Sequence, residues 1–507
     1  MPQDRRYVIG IDSSTQSVKA IAWDRQGTPV ATGRAALEIS HPAPLLAEQN
    51  APDWWTATIT ALRAVMEQIE PGFIDGIAIS NQRETMVLLD AEGLPLAPAT
   101  LWLDTRAQAT TKLLAHEIGA ETLHAISGKP VDVVPCIYRL RWMRQHTPEL
   151  LDSAALIADV HGYLTRKLTG TAAASWTSAD PFGIFDIAAK TWSQPLLDHL
   201  AIPVTKLPAV HAPGQPIGMV TSQAAAETGL RPGTPVFAAG GDGHCAGLGV
   251  GAIAPGVVYL NLGTAVVGGM WSPNPDISPY WRTLISPTGT GYLLEAVQRG
   301  GAFFINWFVD TFAGGRRDPD VFARLEAQAE AIPLGSDGVT VCTYIVGCMD
   351  PHWDGEATAS FTGLTASHTT AHLFRAALEA ITLEFARALQ AMRGEGLDPQ
   401  HILAIGGGAA NQSWLQMIAD ATGLPVIRSL SNEASALGAG ISAAVGAGWF
   451  SSFQSAVDGM TRISGRLEPD PLARAKWDAL SRRQAKVYLD NRPTKAEYPN
   501  HEPRLQR

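Results

Sequence analysis

The chain reads as an α/β protein built from two similar halves, and three observations predict this. Apolar runs of strand length alternate with helical periodicity from residue 7 to about 450. The 507 residues exceed what one hydrophobic core normally spans, so two or three domains are expected. Two short segments, about half a chain apart, repeat one pattern: Val8-Ile9-Gly10-Ile11-Asp12-Ser13-Ser14-Thr15 and Val257-Val258-Tyr259-Leu260-Asn261-Leu262-Gly263-Thr264. Each is an apolar run, then Asp or Asn, one residue, a small residue and Thr. The run predicts a buried strand. The cluster behind it predicts a tight turn whose small residues let a phosphate approach the backbone. Two such turns suggest two domains holding one nucleotide; two unrelated buried hairpins are the plainer reading.

Residues 7–24 predict a hairpin with its turn at 12–17, and Gln26-Gly27 turns into a further strand. Asp53, after Pro52, is placed as a helix N-cap, with Ile59, Leu62, Met66 and Ile69 on one face. A strand over 74–79 delivers Ser80-Asn81-Gln82-Arg83-Glu84 at its end, before a strand over 86–89. Thr100-Leu101-Trp102-Leu103 is a short apolar stretch ending in Asp104-Thr105-Arg106. Residues 107–235 are expected to be mostly helical, with Gly and Pro breaks. Pro235–Ala239 is strand-like and runs into Gly240-Gly241-Asp242-Gly243. The clearest helix spans about 371–393, with Phe374, Leu378, Ile381, Phe385, Leu389 and Met392 on one stripe and Gly394 as its stop. A strand over 402–405, a Gly406-Gly407-Gly408 turn, a helix carrying Trp414, a strand at Val426-Ile427 and a helix from Glu433 follow. The expected division is 1–245, 246–490 and a polar, disordered tail over 491–507.

With 48 acidic and 38 basic residues the net charge is −10, which argues against a nucleic acid or an anionic membrane as main partner. A small phosphate ligand needs only local positive potential and stays allowed. The four cysteines form no C-x-x-C pair, as expected of reduced thiols in a cytoplasmic protein. No apolar signal region follows Met1-Pro2-Gln3-Asp4-Arg5-Arg6. The stretch 256–271 is too short and too polar to span a bilayer.

Four places carry candidate chemistry, and each fits two readings. Asp12, at a strand end, fits a carboxylate holding Mg²⁺ through water while Ser14 and Thr15 meet phosphate oxygens; it also fits an Asx-turn. Asp242, flanked by glycines that leave its carboxylate open to a ligand, fits a general base for a hydroxyl, or a plain turn residue. Arg83 and Glu84 offer a donor fork and acceptors for neighbouring hydroxyls, or form a surface ion pair. Gly406-Gly407-Gly408 between strand and helix admits a base or phosphate, or is a tight connection.

The order of these motifs resembles the FGGY family of carbohydrate kinases, in the actin-like ATPase superfamily, over residues 7–450. The C-terminal signature is carried by Ala359-Ser360-Phe361-Thr362-Gly363-Leu364 and His372-Leu373-Phe374-Arg375-Ala376-Ala377-Leu378-Glu379. The N-terminal signature is degraded: Arg139-Leu140-Arg141-Trp142-Met143 has Arg where the family usually has Lys. The resemblance implies two ribonuclease-H-like domains flanking a deep cleft, with sugar mainly on the first, ATP on the second, Mg²⁺ as cofactor, and closure that brings the γ-phosphate to the sugar. It implies Asp242 as catalytic base, Asp12 near Mg²⁺ and phosphate, and Gly263-Thr264 on the γ-phosphate. Gly300-Gly301 are implied at the phosphates, Gly407, Gly408 and Asn411 in the nucleotide pocket, and Gln82, Arg83, Glu84 and Trp102 at the substrate. A homodimer is compatible with the sequence.

The substrate signals are mixed. Asn81-Gln82-Arg83-Glu84-Thr85 looks like the glycerol-kinase branch, yet Asp242 is followed by Gly243-His244 rather than Gln-Gln. Asp53-Trp54-Trp55, Ala224–Leu230 and Pro232-Gly233-Thr234-Pro235 look like the xylulose-kinase branch. A ketopentose such as xylulose is expected ahead of glycerol or another polyol. Gly347-Cys348-Met349-Asp350-Pro351 departs from the family's usual Gly-Glu-Arg before Pro.

Overall fold

The computed structural model describes residues 6–431 and 433–491, so the tail expected past Asn491 lies outside the described residues. In the first half, β1 (Tyr7–Ser13), β2 (Ser17–Trp23) and β3 (Pro29–Ala36) form an antiparallel meander. Helix α1 (Ala51–Met66) leads to β4 (Ile74–Asn81), which runs parallel to β1. β5 (Pro216–Met219) and β6 (Pro235–Gly241) complete the order β5-β6-β4-β1-β2-β3. β1 and β4 are nearly continuous apolar runs because helices cover both faces of this sheet.

Helix α2 (Asp242–Val250) leaves β6 and leads to β7 (Val257–Leu262), β8 (Val266–Ser272), β9 (Arg282–Ile285) and β10 (Tyr292–Gln298). There follow α3 (Ala302–Phe312), α4 (Thr370–Gly394), β11 (His401–Ile405), α5 (Gln412–Thr422), β12 (Val426–Ser429), α6 (Ala434–Gly446) and β13 (Ile463–Leu467). The second sheet has the order β9-β10-β8-β7-β11-β12-β13. Without its edge strand β9, it retraces the first sheet strand for strand, with the same parallel or antiparallel sense at every pairing. The short sequence repeat is therefore one visible piece of a six-strand repeat. Asp12 and Asn261 are each the penultimate residue of their strand.

Helix α6 belongs in sequence to the second half but packs on the first sheet. Its Ala436, Leu437, Ala439, Ile441, Ala443 and Ala444 share a core with Val8, Ile21, Ala78, Phe237 and Ala239. The packing is backbone-close: a Cβ on Gly10 of β1 would lie 1.9 Å from the Ala436 carbonyl oxygen. Helix α2 crosses α6 equally tightly, with a Cβ on Gly438 falling 1.9 Å from the Cys245 carbonyl oxygen.

Three local readings are corrected. Helix α1 begins at Ala51 with Asn50 as its N-cap, so Asp53 lies in the first turn rather than at the cap. Proline has no N–H to leave unsatisfied there, which lets the helix start before Pro52. Its buried face is Trp54, Trp55, Ala61, Leu62 and Val65, and Ile69 falls beyond its end. Residues 107–235 hold short strands between the helices, Leu156–Asp159 and Ala173–Ser175 among them, too brief to show a period. Asp242 is no plain turn residue: Gly241 is the N-cap of α2 and Asp242 its first residue. Among the described residues no helix is long and apolar enough to cross a membrane.

Candidate active site

Parallel pairing places the candidate residues of the first half at one sheet end. Asp12 of β1 lies opposite Ser80 of β4, and Asn81 of β4 opposite Gly241 of β6. The carboxyl ends of β1, β4 and β6 thus present Asp12, the segment 82–84 and Asp242 together, as in open α/β sheets that bind ligands at their strand ends. Ser80 Oγ donates to Asp12 Oδ1 at 3.0 Å. Ser435 of α6 donates to the Asp242 carbonyl at 3.1 Å.

The second half does the same with backbone. Asn261 of β7 lies opposite Ile405 of β11, so the Gly263-Thr264 turn and Gly406-Gly407-Gly408 share a sheet end. Gly406 has φ +87° and sits against Asn261, where a Cβ would be 2.5 Å from its Oδ1. The N–H groups of Ala302 and Phe303 donate to the carbonyls of Gly263 and Thr264 at 2.9 and 3.0 Å. This brings Gly300-Gly301 and the start of α3 against the turn. Gly407 is exposed and faces open space, whereas Gly408 is closed off by Trp414 and Leu262. Asn411 caps α5, its Oδ1 accepting from the Trp414 N–H at 2.8 Å.

Around Asp242 lies a charge network that joins the halves. Arg83 Nε stands 3.2 Å from Asp242 Oδ1, and the Gly243 N–H donates to the same oxygen at 2.8 Å. Arg83 Nη1 donates to both oxygens of Glu295 at 3.0 and 3.1 Å. Glu295 also accepts from Arg282 Nε at 2.7 Å and from the Tyr259 hydroxyl at 2.6 Å. Arg282 in turn holds Glu84 at 2.7 Å. Arg83 and Glu84 are therefore buried partners of the second half rather than a surface ion pair. The glycines beside Asp242 make room for this network. A Cβ on Gly241 would be 2.5 Å from the Arg83 stem, and one on Gly243 would be 2.9 Å from Arg83 Nη2 and 3.0 Å from Glu295 Oε2.

The other predicted residues have partners too. Ser14 Oγ closes the first turn on the Ser17 carbonyl at 2.9 Å. Trp102 Nε1 donates to Thr15 Oγ1 at 3.0 Å, and buried Gln82 donates to Gln49 at 2.9 Å. Arg139, the residue that degrades the N-terminal signature, is wholly buried and donates to the carbonyls of Val134, at 3.2 Å, and Glu84. It pins Glu84 in a left-handed backbone conformation, φ +47°. Asp350, in the atypical 347–351 segment, accepts from the Val297 N–H at 2.6 Å and so anchors β10 near Glu295.

Sequence reading missed Glu295, Arg282, Tyr259, and the Lys129–Asp180 pair beside buried His244. One signal was present: Glu295 is the lone charge in the apolar run Tyr292-Leu293-Leu294-Glu295-Ala296-Val297. A carboxylate there must find donors, because an unpaired buried charge is costly.

The electrostatics separate the acids. Burial and then the like charge of Asp242 push the Asp12 carboxyl up to about 7, opposed by Ser80 and Lys19. Burial also raises Asp242, with Arg83 opposing. Burial works against ionised Glu295 as well, but Arg83 and Arg282 outweigh it and hold its carboxyl well below the ordinary range. Burial and then the charge of Arg83 keep His244 neutral.

Asp242 keeps 40% of its side-chain surface open, and both of its close contacts fall on Oδ1. Oδ2 takes part in neither contact and is open to accept a hydrogen bond from a ligand. Among the described residues no cluster of three acidic, His or Cys side chains is set to cage a metal. Two facing carboxylates whose charges oppose each other fit Mg²⁺, which keeps waters and takes one or two carboxylates plus phosphate oxygens.

The chain matches the N-terminal domain model of the FGGY family of carbohydrate kinases over residues 7–249 and the C-terminal domain model over 258–447. A xylulose kinase of Bacillus subtilis is 28% identical, over 92% of this chain and 93% of its own. An autoinducer-2 kinase of Yersinia enterocolitica is 29% identical, over 96% and 94%. The solved structure of a xylulose kinase from Rhodospirillum rubrum superposes with TM-score 0.89 at 29% identity, covering 96% of this chain and 99% of that one.

Proposed function

Because this chain belongs to the FGGY family of carbohydrate kinases, with its two-domain actin-like ATPase fold, we propose that it transfers the γ-phosphate of ATP to a hydroxyl of a ketopentose such as xylulose. The observation that carries the reading is Asp242, a strand-end carboxylate held on one oxygen and open on the other, beside Asp12. Asp242 takes the sugar hydroxyl proton as that oxygen attacks the γ-phosphorus, and ADP leaves. Gly263-Thr264 and Gly300-Gly301 offer backbone N–H groups to the phosphates, and the open side of Gly407 takes the nucleoside. Asp12 would hold Mg²⁺, which supplies neutralisation of the phosphate charge. The sugar sits against the 82–84 segment and Trp102. We place the domain division at 245/246, between the two sheets, and the enzyme in the cytoplasm, in keeping with its four buried free thiols.

One support favours the ketopentose: xylulose kinases recur among the similar proteins. An ADP-release assay over xylulose, ribulose, glycerol, erythritol and gluconate tests this. Xylulose should exceed glycerol in kcat/KM by about 10,000-fold, the discrimination expected where a site leaves polar groups unpaired by the wrong substrate. A preference for glycerol would overturn the substrate assignment.

The Mg²⁺ assignment has a test that needs no turnover. Asp12 titrates at about 7 folded against 3.8 unfolded, so the unfolded state loses its proton first. Its contribution to stability is greatest below pH 4 and declines as pH rises towards 7. Millimolar Mg²⁺ should therefore raise the thermal midpoint more at pH 7.5 than at pH 5, and this difference should vanish in Asp12→Asn. Equal Mg²⁺ effects in wild type and variant would remove Asp12 as the ligand.

A further inference from the structure

Four residues stand in register across four strands of the second sheet. Tyr259 of β7 is opposite Gly269 of β8, Gly269 is opposite Glu295 of β10, and Glu295 is opposite Arg282 of β9. Gly269 lets the rung form: a Cβ there would lie 2.6 Å from Tyr259 Cε1, and its absence lets the phenol cross β8 to reach Glu295. The rung carries polar and charged side chains through the interior of the sheet, and Glu295 is 0% exposed. A buried network of this kind holds only if every member is satisfied. Here each oxygen of Glu295 has at least two donors, from Arg83, Arg282 and Tyr259.

The rung meets the first half at Arg83 and Glu84, and the guanidinium of Arg83 is shared between Glu295 and Asp242. Asp242 starts a helix and touches no other cation at this distance among the described residues. Besides the Gly243 N–H of its own helix, Arg83 is what this carboxylate contacts among the described residues, so where Glu295 holds Arg83 bears on how the carboxylate is oriented. We propose that Glu295 is a positioning residue, through which the second half fixes Arg83 and, by way of Arg83, the Asp242 carboxylate. This rests on the reading of Asp242 as the base. It adds a consequence: the base is in place only when the two halves are together, so a chain holding ATP without closure lacks an aligned proton acceptor. Besides Arg83, the charged groups facing Asp242 are Asp12, Glu84 and Glu295.

The test is a double-mutant cycle between Glu295 and Arg83, read in kcat and in sugar KM. Glu295→Gln keeps the shape and removes the charge, so Arg83 swings towards Asp242. The kcat should fall about 30- to 100-fold, the cost of a misplacement of order 1 Å, with sugar KM changed less than about 3-fold. In an Arg83→Met background the same substitution should cost less than about 3-fold, because the path through Arg83 is already cut. Full, additive loss in that background, or a loss carried by KM, would overturn the proposal. Should Glu295→Gln not fold, Tyr259→Phe runs the same cycle with the charge intact, and about 5-fold is expected from one lost hydrogen bond. Asp242→Asn is measured alongside. If it retains turnover, the base reading fails and this proposal with it; if it is inactive and the cycle is additive, only the role of Glu295 falls.

Discussion

Asp242→Asn is expected to lower sugar-dependent ADP release by about 1,000-fold, within the range that a positioned general base contributes. The amide keeps the volume of the carboxylate and can still accept from the Gly243 N–H, so the start of α2 should not move. It cannot take a proton. Stability should hold or rise. Burial lifts the folded pKa of Asp242 above its ordinary value, so the ionised group weakly opposes folding at neutral pH, an effect screened by the 40% of its side chain that is open to water. The repulsion with Asp12 is lost as well. Arg83, though it loses one partner, keeps both oxygens of Glu295 and is not left as an unpaired buried charge. Coupled ADP release and thermal unfolding, measured on the same preparation, check both halves of the expectation. Turnover within about 10-fold of wild type would show that the hydroxyl proton goes elsewhere. Binding of sugar and ATP by the wild type without turnover of any acceptor would instead mark a sugar sensor.

Much of this site was legible because its parts are local. Asp12 and Asn261 each follow an apolar run and precede a Thr-bearing turn, a pattern contained in eight residues. That pattern locates a strand, its end and its turn, and parallel pairing then groups the strand ends. The repeat of the whole six-strand order was beyond reading, since its later strands are separated by long and unequal insertions. The rung was hidden for a different reason: Tyr259, Gly269, Arg282 and Glu295 are neighbours only through inter-strand register. Gly241 and Gly243 show how a correct signal acquires a different cause. Their missing side chains point to crowding next to Asp242, and the crowding comes from Arg83 and Glu295 within the protein. Arg139 is similar, since its departure from Lys reads as a lost motif yet supplies a buried fork for three carbonyls.

Gly438→Val should be the most damaging single change outside the charged residues. Gly438 lies in α6 where α2 crosses it, and the atom facing it is the backbone oxygen of Cys245, 1.9 Å from where a Cβ would stand. A flexible side chain would turn aside, but a helix backbone moves only as a whole. The crossing is tight from the other direction too, because a Cβ on Gly249 would be 2.0 Å from the Ala434 carbonyl oxygen. On its other face α6 is held against β1, where Gly10 meets Ala436. One helix thus touches both the strand that carries Asp12 near its end and the helix that begins with Asp242. Its position sets the distance between the two carboxylates. Overpacking of this kind should lower the thermal midpoint by about 2–6 °C. It should also cut kcat by at least about 10-fold, because displacing α2 moves Asp242 away from Arg83. Gly465→Ala in β13 serves as the comparison: a Cβ there meets no atom within 4 Å, and neither midpoint nor turnover should change. A Gly438→Val protein with wild-type midpoint and kcat would mean that the crossing is loose and that α6 does not set the two carboxylates.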